Sequence, residues 1–105
     1  MSILISGAAG RLATILAYMI GKDEQLVGMD VRPSPEGRVF PGRFVRVKRY
    51  NHHSATEVFR EYKPRVFIHL GTRAATARTD RHRYSQNVVG TRHLLQEAKR
   101  YGTER

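Results

Sequence analysis

The first thirty residues constrain this chain more than any other stretch. Ile3-Leu4-Ile5-Ser6 is a short apolar run, Gly7-Ala8-Ala9-Gly10 a glycine-rich turn, Arg11 to Ile20 a helical run, and Leu26-Val27-Gly28-Met29-Asp30 a second apolar run ending in an acid. In that order these are the parts of a βαβ unit that binds a dinucleotide. At Gly7 the chain must leave the strand in a tight turn, and at Gly10 the backbone must approach a pyrophosphate where a Cβ would intrude. The amides of Arg11 and Leu12 then open a helix whose dipole and unpaired N–H groups favour phosphate charge. Ala13 stands where a third glycine is usual, alanine being the smallest substitute where helix and strand pack closely. Asp30, at the carboxyl end of the second strand, is placed to accept hydrogen bonds from the adenosine ribose hydroxyls. A carboxylate there repels a 2′-phosphate, which argues for NAD over NADP. Arg11 and Arg32 soften that preference, since either can pair with a phosphate.

The rest of the chain alternates in the same way. Leu12, Ile15, Leu16, Met19 and Ile20 recur at helical spacing, which predicts a helix from Arg11 to Ile20 laying that stripe on a sheet, with Gly21 as its C-cap. Pro33-Ser34-Pro35-Glu36-Gly37 reads as a loop, and Phe44-Val45-Arg46-Val47-Lys48 as a third strand whose charges suit an edge. Ser54-Ala55-Thr56-Glu57 has capping-box spacing, so a short helix is expected from near Ala55. After Pro64, Val66-Phe67-Ile68-His69-Leu70 reads as a buried strand. An arginine-rich loop is expected from Thr72 to about Tyr84, and a last helix from Ser85 to Tyr101 with Val88, Leu94, Leu95 and Ala98 on its apolar side and Gly102 as its stop. Such alternation implies an α/β fold with right-handed crossovers: a Rossmann-like, three-layer domain over residues 1–105, its parallel sheet of about four strands ordered 3-2-1-4.

Composition narrows the classes further. The chain has no cysteine, which excludes disulfides and thiolate chemistry, and no apolar run approaches the roughly 18 residues of a membrane span. A cytoplasmic protein is the expectation. The formal charge of +10 raises nucleic acid as a partner, but the excess is spread: eight basic and four acidic residues to position 50, eleven and five after it. A solvated basic surface is therefore favoured over a nucleic-acid-binding module. Adjacent His52 and His53 invite a metal reading, yet loop neighbours rarely converge on one ion and no acid partner is evident in sequence, so no metal is expected.

Four motifs in order, Gly7-Ala8-Ala9-Gly10-Arg11-Leu12-Ala13, Asp30, Val66-Phe67-Ile68-His69-Leu70-Gly71-Thr72 and Asn87-Val88-Val89-Gly90-Thr91 with the helix that follows, resemble the extended short-chain dehydrogenases/reductases, the NAD-dependent epimerase/dehydratase group. The resemblance covers essentially the whole chain. It implies NAD as cofactor, a sugar-nucleotide-type substrate, backbone contacts from Leu70 and Gly71 along the ribose and pyrophosphate, and Asn87 beneath the nicotinamide side. Thr91 would pack within its helix, and His69 would be structural rather than catalytic.

Two departures from the family pattern matter. An aspartate that touches adenine usually follows the third strand, where this chain has Lys48-Arg49-Tyr50-Asn51-His52; Asn51 is the remaining candidate for adenine. The family's hydride chemistry resembles a tyrosine acid/base with a lysine four residues on, carried beyond a fifth strand, and Arg105 precedes that strand. Tyr18 and Lys22 match the spacing by chance, at the far end of the first helix. The expectation is thus a cofactor-binding part without catalytic residues. Rival readings are a non-catalytic interaction or sensor domain that forms homo-oligomers through the open edge of the fourth strand and the last helix, and a basic nucleic-acid binder.

Overall fold

The computed structural model describes residues 2–21, 24–37, 39–71, 81 and 85–105. The expected loop from Thr72 to Tyr84 lies almost wholly outside the described residues. Four strands, β1 (Ser2–Ser6), β2 (Gln25–Asp30), β3 (Arg43–Arg46) and β4 (Val66–His69), alternate with helices α1 (Arg11–Ile20), α2 (His52–Tyr62) and α3 (Gly90–Arg100). One turn of π-helix, Ser85–Val89, leads into α3. All strand pairs are parallel and the order is β3-β2-β1-β4, as expected.

Because side chains alternate along a strand, an apolar run buried on both faces feeds two cores. Leu4, Val27 and Met29 point to one face, where Ala55, Val58 and Phe59 of α2 and Leu94 and Ala98 of α3 cover them. Ile3, Ile5 and Leu26 point to the other, against Ala8, Ala13 and Ala17. The three layers follow from that division. Phe59 is fully buried and meets the Phe67 ring edge-on at 5.2 Å; burial of such a ring contributes about 1.5–3 kcal/mol. Phe40, from the loop between β2 and β3, folds back onto the α1 face, and a Cβ at Gly28 would meet its ring at 2.9 Å.

Several local expectations are corrected. α1 does not lay its large apolar stripe on the sheet: Ala13, Thr14 and Ala17 make the contact, while Leu12 is 65% and Met19 78% exposed. Only small side chains fit where the glycine turn brings helix and strand so close. Half of the apolar side predicted for the last helix faces solvent, since Leu94 and Ala98 are buried but Val88 and Leu95 are not. α2 begins three residues early: Asn51 is its N-cap, accepting from the Ser54 amide at 3.0 Å, and the Ser54 hydroxyl accepts the Asn51 amide at 3.2 Å. Ser54 therefore stands at N3, the last residue of the capping box, not at its N-cap. Finally, the outer edge of β4 is not open along its whole length. The Phe67 amide donates to the Arg105 carbonyl at 2.6 Å, and the Arg105 and Glu104 amides donate to the Arg65 carbonyl.

Candidate cofactor-binding site

The carboxyl ends of β1, β2 and β4 meet at one place, and the chain reverses there at Gly7. Its φ of +74° is open to glycine and strained for other residues. Space forbids a side chain as well, since a Cβ would lie 2.7 Å from the carbonyl carbon and oxygen of Leu70. The Gly7 amide donates to the Tyr50 hydroxyl at 3.2 Å, the Ala8 amide to the Met29 carbonyl at 3.1 Å, and the Gly10 amide to the Gly7 carbonyl at 2.9 Å. The turn is thus tied to β2 before α1 starts.

Gly10, in ordinary extended geometry, is the N-cap of α1 and supplies no side-chain cap. The first intrahelical bond runs from the Thr14 amide to the Gly10 carbonyl at 3.2 Å, so the amides of Arg11, Leu12 and Ala13 precede the helical ladder. No acidic residue stands in this first turn. Uncapped N–H groups, the positive end of the helix dipole and the exposed Arg11 side chain together make the turn a place for an anion.

Asp30 is buried at the end of β2. Its Oδ2 accepts from the Ala9 amide at 2.9 Å and from Arg32 Nη2 at 3.0 Å, and its Oδ1 from the Arg32 amide at 3.0 Å and Nε at 3.3 Å. The hydrogen bond that Arg32 donates to Asp30 raises the pKa of Arg32 despite partial burial. The sequence put Asp30 at the end of the second strand, where it stands, but did not show that Arg32 lies across it.

On the other side of the turn, the Leu70 and Gly71 amides both donate to the Ser6 hydroxyl at 3.1 Å. Their N–H groups are turned into the protein, which leaves carbonyls and side-chain surface for any ligand contact. Asn87 sits half-buried in the π-helical turn, and its carbonyl accepts from the Thr91 hydroxyl at 2.6 Å. Gly7, Gly10, Arg11, Leu12, Asp30, Leu70 and Gly71 therefore gather around one turn, and the Ser6-His69-Thr91 side chains link it to Asn87.

Tyr50 is the residue that sequence reading passed over. It is almost fully buried, its ring lies where a Cβ on Gly71 would fall, and its carbonyl lies 2.6 Å from where a Cβ on Gly90 would fall. The two glycines of the later motifs are thereby explained: both make room for Tyr50, which in turn holds Gly7. Asn51, the adenine candidate, spends its side-chain oxygen on capping α2.

His69 is structural in its surroundings, packed between Ser6 and Thr91, and burial lowers its pKa. His52 and His53 do have acidic neighbours, contrary to expectation: Nδ1 of His52 is 3.7 Å from Glu97, and Nε2 of His53 is 3.2 Å from Glu57. Among the described residues, however, no group of three His, Cys, Asp or Glu side chains is arranged to hold a metal. Tyr18 donates to the Val39 carbonyl at 3.0 Å and borders a cavity with Gln25 and Gly42, at the opposite end of the strands from Gly7. No described helix is long and apolar enough to cross a membrane.

The profile of the NAD dependent epimerase/dehydratase family matches residues 3–105, and the chain belongs to that family. Among solved structures it is similar to the UDP-glucose 4-epimerase of Thermotoga maritima, with a TM-score of 0.83 at 20% identity over 98% of this chain and 35% of that one. The UDP-glucose 4-epimerase of Thermus thermophilus, solved with NAD, gives 0.82 at 21% over 98% and 35%. The L-threonine dehydrogenase of Clostridium difficile gives 0.81 at 22% over 97% and 34%. The chain spans about a third of the length of these relatives. No curated protein matched it.

Proposed function

We propose that this chain binds NAD across the Gly7–Gly10 turn, as the cofactor part of an epimerase/dehydratase-like oxidoreductase acting on a sugar-nucleotide-type substrate. The observation that carries the reading is the uncapped start of α1 set against the backbone of Leu70, with Asp30 at the end of the adjoining strand. Pyrophosphate would lie on the Arg11 and Leu12 amides and adenosine ribose beside Asp30. Leu70 and Gly71 would border the path toward Asn87. NAD accepts and returns hydride when bound; the residues gathered here would bind and orient it. Titration calorimetry with NAD at up to about millimolar concentration tests the reading, and absence of heat there sinks it.

A second reading, self-association, is favoured by the exposed Val88 and Leu95 on the last helical segment. Sedimentation at tens of micromolar tests it; a clean monomer counts against it.

A further inference from the structure

The guanidinium of Arg32 holds Asp30 by one edge only. Nε and Nη2 reach the two carboxylate oxygens, at 3.3 and 3.0 Å, while the Asp30 oxygens also accept the Ala9 and Arg32 amides. A carboxylate offers about four acceptor positions, so those of Asp30 are taken up by the protein itself. A ribose diol entering this site must displace Arg32 before it can bond to Asp30.

Among the described residues, nothing engages the other side of the guanidinium. Of its five N–H donors, two serve Asp30; the side chain is 57% exposed. Nη2 stands 3.5 Å from where a Cβ on Gly10 would be, so the group hangs beside the same turn that receives the pyrophosphate. The pair Asp30–Arg32 is neutral as a unit, Arg11 adds a positive charge in the first turn of α1, and no acid stands there to oppose an anion. Repulsion between Asp30 and a 2′-phosphate, the usual ground for excluding NADP, is cancelled when a guanidinium lies between them.

We propose that Arg32 makes this a pocket for a 2′-phosphorylated adenosine, so that the chain binds NADP at least as tightly as NAD. The inference rests on the dinucleotide reading of the Gly7–Asp30 turn and names which adenosine it takes. Arg32 keeps one edge on Asp30 and gives its outward N–H groups to the phosphate, whereas NAD offers it no anion in exchange for the contacts it must release.

Calorimetric titration of the whole chain with adenosine 2′,5′-bisphosphate, AMP, NADP and NAD is the test, on wild type, Arg32→Ala and Arg32→Lys. Wild type is expected to bind the bisphosphate about tenfold more tightly than AMP, and NADP no more weakly than NAD. Arg32→Ala, at an exposed position, should weaken both 2′-phosphorylated ligands about tenfold while leaving NAD unchanged or tighter; Arg32→Lys, a point charge without the planar fork, should fall between. NAD binding about tenfold tighter than NADP in wild type overturns the inference, as does an equal loss for NAD and NADP in Arg32→Ala. Binding of NAD alone leaves the dinucleotide site standing and removes only the role of Arg32. Silence from all four ligands removes both.

Discussion

The Ser6 hydroxyl lies 2.6 Å from His69 Nδ1 while accepting the Leu70 and Gly71 amides at 3.1 Å each. With its lone pairs occupied, the hydroxyl can only donate to Nδ1. The proton of the neutral ring is therefore assigned to Nε2, which donates to the Thr91 hydroxyl at 2.8 Å, and Thr91 donates to the Asn87 carbonyl. One directed chain of hydrogen bonds ties β1, the end of β4 and the π-helical turn together.

Protonation of His69 would place a second N–H against a hydroxyl that has no acceptor capacity left, and burial already lowers its pKa below 6.5. Under acid conditions the unfolded chain binds this proton more readily than the folded one. The contribution is thus fully present above about pH 6.5 and lost as the pH falls from there toward the lowered folded value. Urea unfolding at neutral and mildly acidic pH should show the loss, and His69→Gln should flatten the pH slope, the remaining histidines being common to both proteins. An unchanged slope in the variant would refute the assignment.

Gly7 and Gly10 should separate stability from binding. Gly7→Ala meets both a positive φ and the Leu70 backbone at 2.7 Å, so a loss of about 1–3 kcal/mol from conformation alone is expected, with more from the clash. Gly10 has φ −81°, and a Cβ there would lie 3.2 Å from the Gly7 carbonyl oxygen, a contact that a small shift relieves. Gly10→Ala should unfold within about 1 kcal/mol of wild type yet lose NAD affinity, because in the proposed site the methyl group would stand where phosphate approaches. Thermal melts paired with calorimetry check both; equal destabilisation by the two changes would contradict the packing described.

Strand order was readable from the sequence because each buried strand is a continuous apolar run and the connections allow few topologies. The turn at Gly7 was readable because so tight a reversal from strand to helix admits little but glycine, and the position of Asp30 because it closes the second apolar run. What escaped depends on distance in space. Nothing local marks Tyr50 as the residue that Gly71 and Gly90 accommodate, from positions 21 and 40 residues further on. Nor does helical spacing reveal which side of α1 meets the sheet, since close approach selected Ala13 and Ala17 over the larger stripe. Likewise the Arg32–Asp30 contact needs a bend after β2 that a pattern of apolar residues does not encode.

Glu97 is 3% exposed, and among the described residues its Oε2 has no hydrogen-bond partner; Nδ1 of His52 lies 3.7 Å from its Oε1 and Nη1 of Arg100 3.9 Å from its Oε2, both on largely exposed side chains. Desolvation of a carboxylate held at such distances offsets most of the attraction. Glu97→Met, which keeps volume and helix propensity, should leave stability unchanged or raise it by about 1 kcal/mol. A loss of more than about 2 kcal/mol in urea unfolding would show instead that the His52 and Arg100 contacts outweigh that cost.

The two sides of α1 should respond in opposite ways to substitution. Ala17 is 1% exposed against the sheet, and Ala17→Leu forces methylene groups into a packed layer at a cost of about 1–3 kcal/mol. Leu12 and Met19 face outward, so Leu12→Ser with Met19→Ser removes apolar surface from water without opening a cavity. The double variant should unfold within about 1 kcal/mol of wild type and be more soluble. If instead it destabilises the chain as strongly as Ala17→Leu, the outward stripe is packed against protein in solution, and the sheet-facing role assigned to Ala13 and Ala17 is wrong.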